Sequence, residues 1–170
     1  EDISDNVVTM ETDSGAATGF SGVLSVSFPI SLLRMSGNIV DVTVTGAFAA
    51  AASYGVAVVQ ATGAQCRAEV DNNKVTVRGD SSTTCTWAQI LSRPIGIALL
   101  PNVSITFKAW IRGNDVRMLQ NTVAVPPLNE TGTGIYVAQL DSGLFDGNKV
   151  YAAYRGIIAV SYTHLTLPTK

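Results

Sequence analysis

Charge is what this chain has least of. Lys, Arg, Asp and Glu make up 14% of its 170 residues, against roughly 25% in an ordinary soluble domain. Eleven basic and 13 acidic residues leave a net charge of −2. That leaves no basic field to hold a phosphate backbone, so nucleic acid is excluded as a partner. Histidine occurs once, at His164. Any Ser-His-Asp or Cys-His nucleophile would have to use it. The sequence has no Gly-x-Ser-x-Gly elbow and no His-Glu-x-x-His pair. Two cysteines and one histidine do not make a zinc site. The acidic residues are scattered over polar faces and turns, which reads as solvated surface rather than a pair of catalytic carboxylates. The expectation is a protein that is not an enzyme and takes no cofactor or metal.

Long apolar runs are missing too. The longest uncharged stretch lies between Asp41 and Arg67, and Thr43, Thr45, Ser53, Gln60 and Thr62 interrupt it. A membrane helix needs about 20 mostly apolar residues, so no membrane insertion is expected. Mean hydropathy is nonetheless +0.27. A chain this apolar and this poor in charge is expected to cover part of its surface with other copies or other proteins. It begins with Glu1 rather than Met. That fits either a fragment or an exported chain whose leader has been cut off, and the second reading gives the expectation of an extracellular or cell-surface location.

What is present is alternation. Val40, Val42 and Val44 face one way, and Asp41, Thr43 and Thr45 the other. From Val103 to Ile111, Val103, Ile105, Phe107, Ala109 and Ile111 share a face opposite Ser104, Thr106, Lys108 and Trp110. Leu24, Val26 and Phe28 alternate with Ser25 and Ser27. Period two over short β-branched runs predicts half-buried strands. Asp71-Asn72-Asn73, Gly113-Asn114-Asp115 and Asp146-Gly147-Asn148 read as turns between them, the first as a hairpin. Only Ile30–Met35 and Phe48–Ser53 suggest a helical turn. No internal repeat stands out. The spacing predicts an all-β, antiparallel β-sandwich, immunoglobulin-like or jelly-roll, over residues 20–160 as a single domain.

The ends differ from the body. Residues 1–19 read as an extended N-terminal strand and a flexible linker. Ile3, Val7, Val8 and Met10 are candidate subunit-interface anchors, and Gly15 and Gly19 the candidate hinge. A regular strand can point only one parity of the anchors into a groove, so Val7 and Val8 cannot both serve. Residues 161–170 read as an extended tail. They resemble a translated sequencing-adapter tail, which makes them a candidate artefact.

Cys66 and Cys85 fall on apolar faces, in line with Ala68 and Val70 and with Trp87. They form either a disulfide or two buried thiols. Asn102-Val103-Ser104 and Asn129-Glu130-Thr131 have the form of glycosylation acceptors. Arg78-Gly79-Asp80 matches the integrin-binding tripeptide, though Gly-Asp is also ordinary turn chemistry. Asp71, Asp80, Asp141 and Asp146 read as turn residues. Alternation puts Trp110 on a polar face, which makes it the candidate glycan contact.

Gly134-Ile135-Tyr136-Val137-Ala138-Gln139-Leu140, then Phe145-Asp146-Gly147 and Tyr151-Ala152-Ala153-Tyr154, resemble the last hairpin of immunoglobulin-like modules. In size, richness in Ala, Gly, Thr and Val, its cysteine pair and its detachable N-terminal strand, the whole chain resembles pilin-like subunits. The resemblance implies a structural subunit of an extracellular filament, a homopolymer in which each N-terminal strand is donated to a neighbour. The alternative is a phage virion or cell-surface β-sandwich module that binds glycan or coats a shell.

Overall fold

The computed structural model describes residues 1–13, 20–27, 32–47, 53–60, 65–80, 95–101, 106–119, 132–151 and 155–160. Among the described residues, fifteen strands run in chain order as five successive groups of three. The first group is β1 (Asp2–Ser4), β2 (Val7–Asp13) and β3 (Phe20–Ser27). The second is β4 (Leu32–Ser36), β5 (Ile39–Ala47) and β6 (Ser53–Gln60). The third is β7 (Gln65–Asp71), β8 (Lys74–Asp80) and β9 (Ile95–Pro101). The fourth is β10 (Thr106–Arg112), β11 (Asp115–Leu119) and β12 (Thr133–Val137), and the last is β13 (Ser142–Asp146), β14 (Lys149–Tyr151) and β15 (Arg155–Ala159).

Each group is one rung of a coil. The first strands of the rungs pair in the order β1-β4-β7-β10-β13, the second strands as β2-β5-β8-β11-β14, and the third strands as β3-β6-β9-β12-β15. Every pairing among the described residues is parallel. The result is a three-faced parallel β-helix, with faces here named A, B and C. This corrects the expectation of an antiparallel β-sandwich, and it corrects the absence of a repeat. Alternation reports that one face of a strand is buried and says nothing about the direction of its partner. Parallel sheets are usually covered on both faces, so alternating strands read as antiparallel. In a coil the inside of each parallel sheet is core and the outside can face water.

The side chains stack in columns. Ile3, Met35, Val70, Ile111 and Phe145 align on face A, and Val8, Val40, Val75, Val116 and Val150 on face B. Val23, Val56, Ile97, Ile135 and Ile157 align on face C. One buried core takes residues from all three faces, with Phe107, Leu33, Met35, Ile97, Leu99 and Met118 among its largest members. Burial of such a side chain contributes about 1.5–3 kcal/mol. Face C is apolar on both sides. Ala57, Ile95 and Ala98 form a second buried cluster with Leu100 and Tyr136 packed against it.

Two residues turn the chain from face A to face B on every rung: Asp5-Asn6, Gly37-Asn38, Asn72-Asn73, Gly113-Asn114 and Gly147-Asn148. The first of each pair has φ between 56° and 66°. That left-handed conformation suits Gly, Asn and Asp and few others. The second is always asparagine. Its Oδ1 accepts from the backbone N–H and Nδ2 of the asparagine one rung earlier. At Asn73 those bonds come from Asn38 at 3.0 and 2.8 Å, and at Asn114 from Asn73 at 3.0 and 2.9 Å. Its Nδ2 also donates to a carbonyl of the earlier rung: Asn38 to Ile3, Asn73 to Met35, Asn114 to Val70 and Asn148 to Ile111. The three central asparagines are 0–1% exposed, so this ladder satisfies polar groups that the corner would otherwise bury unpaired. The expected hairpin turns are therefore corners of a coil. Strand β4, Leu32–Ser36, takes in the last four residues of the segment Ile30–Met35 expected to form a helical turn.

A second column sets the cross-section. Gly22, Gly55, Gly96, Gly134 and Gly156 are register partners on face C. A Cβ at any of the first four would lie 2.7–2.9 Å from the carbonyl oxygen of the next glycine in the column. It would also overlap Val40, Val75, Val116 or Val150 of the next rung on face B. Glycine here is required by close approach between faces, not by backbone conformation.

Candidate functional site

The four candidate anchors do not sit on a free arm. Ile3 lies in β1, paired with β4, and Val7, Val8 and Met10 lie in β2, paired with β5. Ile3, Val8 and Met10 pack against the core, while Val7 is 74% exposed on face B. The expected parity thus appears, but within the chain's own first rung. Gly15 and Gly19, Cys85, and Asn102 and Asn129 lie outside the described residues. So do residues 161–170 with His164, and Trp87 and Tyr154.

Cys66 is a free, buried thiol on the inner side of β7, beside Phe107 in register on β10. Burial pushes the thiol up from its ordinary range, because the thiolate is desolvated there. Cys66 in the native protein is expected to resist iodoacetamide and to react on denaturation, as read by peptide mass spectrometry. Equal labelling rates in both states would contradict its burial.

Arg78-Gly79-Asp80 forms the last three residues of strand β8. Its Arg78 Nε is 3.7 Å from an Asp41 oxygen of the neighbouring rung. Asp71 binds Arg112 through two contacts of 2.9 and 2.5 Å. That bond raises the Arg112 guanidinium above its ordinary range. Asp141 Oδ2 accepts from the Phe107 N–H at 2.6 Å. Among the described residues, no three of His, Cys, Asp and Glu converge as metal ligands.

Trp110 stands where alternation put it, on the outer side of face A. Its register partners are Glu69 on the earlier rung and Leu144 on the later one. The guanidinium carbon of Arg67 lies 4.0 Å from the centre of the Trp110 ring, within range of a cation–π contact. Glu69 holds Arg67 at 2.5 Å and Arg34 at 3.0 Å, one through each carboxylate oxygen. A ring stacked on a planar guanidinium that is itself tethered has little rotational freedom left to lose. Leu144, 40% exposed, extends the apolar part of the patch to the last rung. Arg34, Arg67, Lys108 and Arg112 on this side are matched by Asp2, Glu69, Asp71 and Asp146, so the face is polar with balanced charge.

Face B offers a second feature. A shallow hollow of about 250 Å³ is lined by Ile39, Lys74, Thr76, Arg78, Arg117 and Leu119, among others. Arg117 is held by both oxygens of Asp115 at 3.0 and 3.2 Å, and it lies 5.4 Å from the Tyr151 ring. The same bond keeps the Asp115 carboxyl below its ordinary range. Two of the three cations lining the hollow are thus engaged by carboxylates.

The sequence reading missed the asparagine ladder. Asn-x-Val occurs on every rung, at Asn6, Asn38, Asn73, Asn114 and Asn148, and was the signal that could have found it. In comparisons with known proteins, no family model, no curated protein and no solved structure matches this chain.

Proposed function

We propose that the chain is a non-catalytic structural module of a cell or virion surface, and that the outer side of face A contacts an extended glycan through Trp110. The supporting observation is the clamped ring: Trp110 on a polar face, backed by Arg67, which Glu69 ties to Arg34. An aromatic face accepts the C–H side of a sugar, and the surrounding guanidinium groups donate to its hydroxyl oxygens while the carboxylates accept from its hydroxyls. The balanced charge suits a neutral polymer better than a strongly acidic one. Parallel strands repeat about every 4.8 Å, so the patch is a flat track, suited to a chain rather than to a small molecule in a pocket. The sparse charge and the absence of a histidine in the described residues are consistent with binding rather than catalysis.

Titration with soluble neutral polysaccharides by affinity electrophoresis or calorimetry tests this. Saturable binding is expected, and Trp110→Ala should weaken it by about 30-fold, the loss of one aromatic hot spot of about 2 kcal/mol. Tyr151→Ala, on face B, should bind as the parent does. Undiminished binding by Trp110→Ala, with an unchanged circular dichroism spectrum, would contradict the assignment.

A further inference from the structure

We infer that the hollow on face B binds a small sugar acid, a hydroxylated ring that carries one carboxylate. The hollow follows from side-chain lengths. On the outer side of this face the short Thr76 sits between Lys74 and Arg78 of its own strand, each about 6.6 Å along the chain. Asp41 and Arg117 are its register partners on the rungs before and after, about 4.8 Å away. Four longer side chains thus surround a short one, and Thr76, 8% exposed, is the floor.

The charges around this floor do not cancel. Lys74, Arg78 and Arg117 face Asp41 and Asp115, three cations against two carboxylates. Arg117 is committed, since Asp115 accepts from it through both oxygens. The contact of Arg78 with Asp41, at 3.7 Å, is an ion pair too long for a hydrogen bond, so this guanidinium keeps its donors. Among the described residues Lys74 forms no salt bridge. The Asp115 carboxyl is held low first by its bond to Arg117, and Lys74, its register partner, adds to that without a direct contact. Two cations with unspent donors therefore stand astride a threonine hydroxyl.

That arrangement recognises an oxyanion, and its neighbours narrow the class. The Asp41 carboxylate lines the same hollow, where it repels a bare anion and accepts from hydroxyl groups. Ile39 and Leu119 stand at opposite corners, beside Lys74 and Arg78 in register, and offer apolar contact to C–H groups. A ligand with one carboxylate, several hydroxyls and a C–H face satisfies all of these groups. An inorganic oxyanion satisfies only the cations. The volume of about 250 Å³ lies just under the usual range for ligand pockets, about 300–1,000 Å³, which suits one ring rather than a polymer. The hollow lies on a different face from Trp110 and does not depend on the glycan reading of face A.

Titration of the ¹⁵N-labelled chain with glucuronate, glucose and sodium sulfate, followed by NMR at low ionic strength, tests this. Glucuronate is expected to shift the Lys74, Thr76 and Arg117 amides saturably, with glucose and sulfate each binding much more weakly. Lys74→Gln should weaken glucuronate about tenfold, the loss of one charge-assisted hydrogen bond, with an unchanged melting temperature. Lys149→Gln removes the same charge from the same face outside the hollow, and should change the affinity less than twofold. No saturable shift on face B would overturn the inference. Glucose binding as tightly as glucuronate would overturn it too, because the carboxylate would then not be recognised. Sulfate binding as tightly would reduce the hollow to a plain oxyanion site and sink the sugar-acid assignment. Equal weakening by Lys74→Gln and Lys149→Gln would show a general field rather than a site, and would also contradict it.

Discussion

Asn73→Ala is expected to be among the most destabilising exchanges of a polar side chain in the coil. The Asn73 side chain makes four bonds: it accepts from Asn38 N and Nδ2 and donates to the Met35 carbonyl and Asn114 Oδ1. Alanine strands the Asn38 donors and the Met35 carbonyl in a corner where Asn38 and Asn73 are each 1% exposed. Each buried group left without a partner costs about 1–3 kcal/mol, so a loss of about 3–5 kcal/mol is expected once partial relaxation is allowed. That is a large share of a domain's total stability of about 5–15 kcal/mol. Asn73→Asp should not rescue, since it removes both Nδ2 bonds and buries a charge. Asn6→Ala, at the exposed end of the ladder, should cost only about 1 kcal/mol. Urea unfolding of the three variants gives the comparison. Equal losses at Asn6 and Asn73 would show that the ladder does not bear on stability.

The second large effect is expected at Gly96. A methyl group there would lie 2.7 Å from the Gly134 carbonyl oxygen and overlap Val116. The carbonyl belongs to a paired strand and cannot rotate away, so faces B and C would have to separate. Overpacking of this kind costs about 1–3 kcal/mol, with the upper end expected where backbone is the obstacle. Restricting the unfolded chain returns only about 0.4–1 kcal/mol. Gly96→Ala should therefore lose about 2 kcal/mol net. Gly156→Ala, in the same column with open space, should instead gain about 0.4–1 kcal/mol. A Gly96→Ala protein as stable as its parent would mean that the two faces do not approach as described.

The strands were legible and their arrangement was not. The alternating face of Phe107, Ala109 and Ile111 is the inner side of β10, and that of Val40 and Val42 the inner side of β5. Trp110 was placed on the outer side for the same reason. Direction was lost at the corners, because a left-handed Gly, Asn or Asp followed by Asn serves a hairpin and a coil corner equally well. The repeat was hidden by its uneven length. Successive ladder asparagines are 32, 35, 41 and 34 residues apart, so no fixed period shows. The columns vary in size but not in kind, as Val23, Val56, Ile97, Ile135 and Ile157 illustrate, each directly after a glycine. That Gly-Val or Gly-Ile step and the Asn-x-Val step recur once per rung, and together they define the coil from sequence. The N-terminal segment was read as detachable because small residues follow it. Its strands are nonetheless the first rung's share of faces A and B.

The parallel coil is the central claim, and paired cysteines test it most directly. Arg78 and Leu119 are register partners on adjacent parallel strands of face B. Such strands lie about 4.8 Å apart, within disulfide range of about 4.4–6.8 Å between Cα atoms. Arg67 and Arg78 would be partners if Asn72-Asn73 closed an antiparallel hairpin, but in the coil they lie on different faces. Under mild oxidation, with the linkage mapped by peptide mass spectrometry, Arg78→Cys should bond to Leu119→Cys and should not bond to Arg67→Cys. A bond between positions 67 and 78, with none between 78 and 119, would contradict the parallel β-helix.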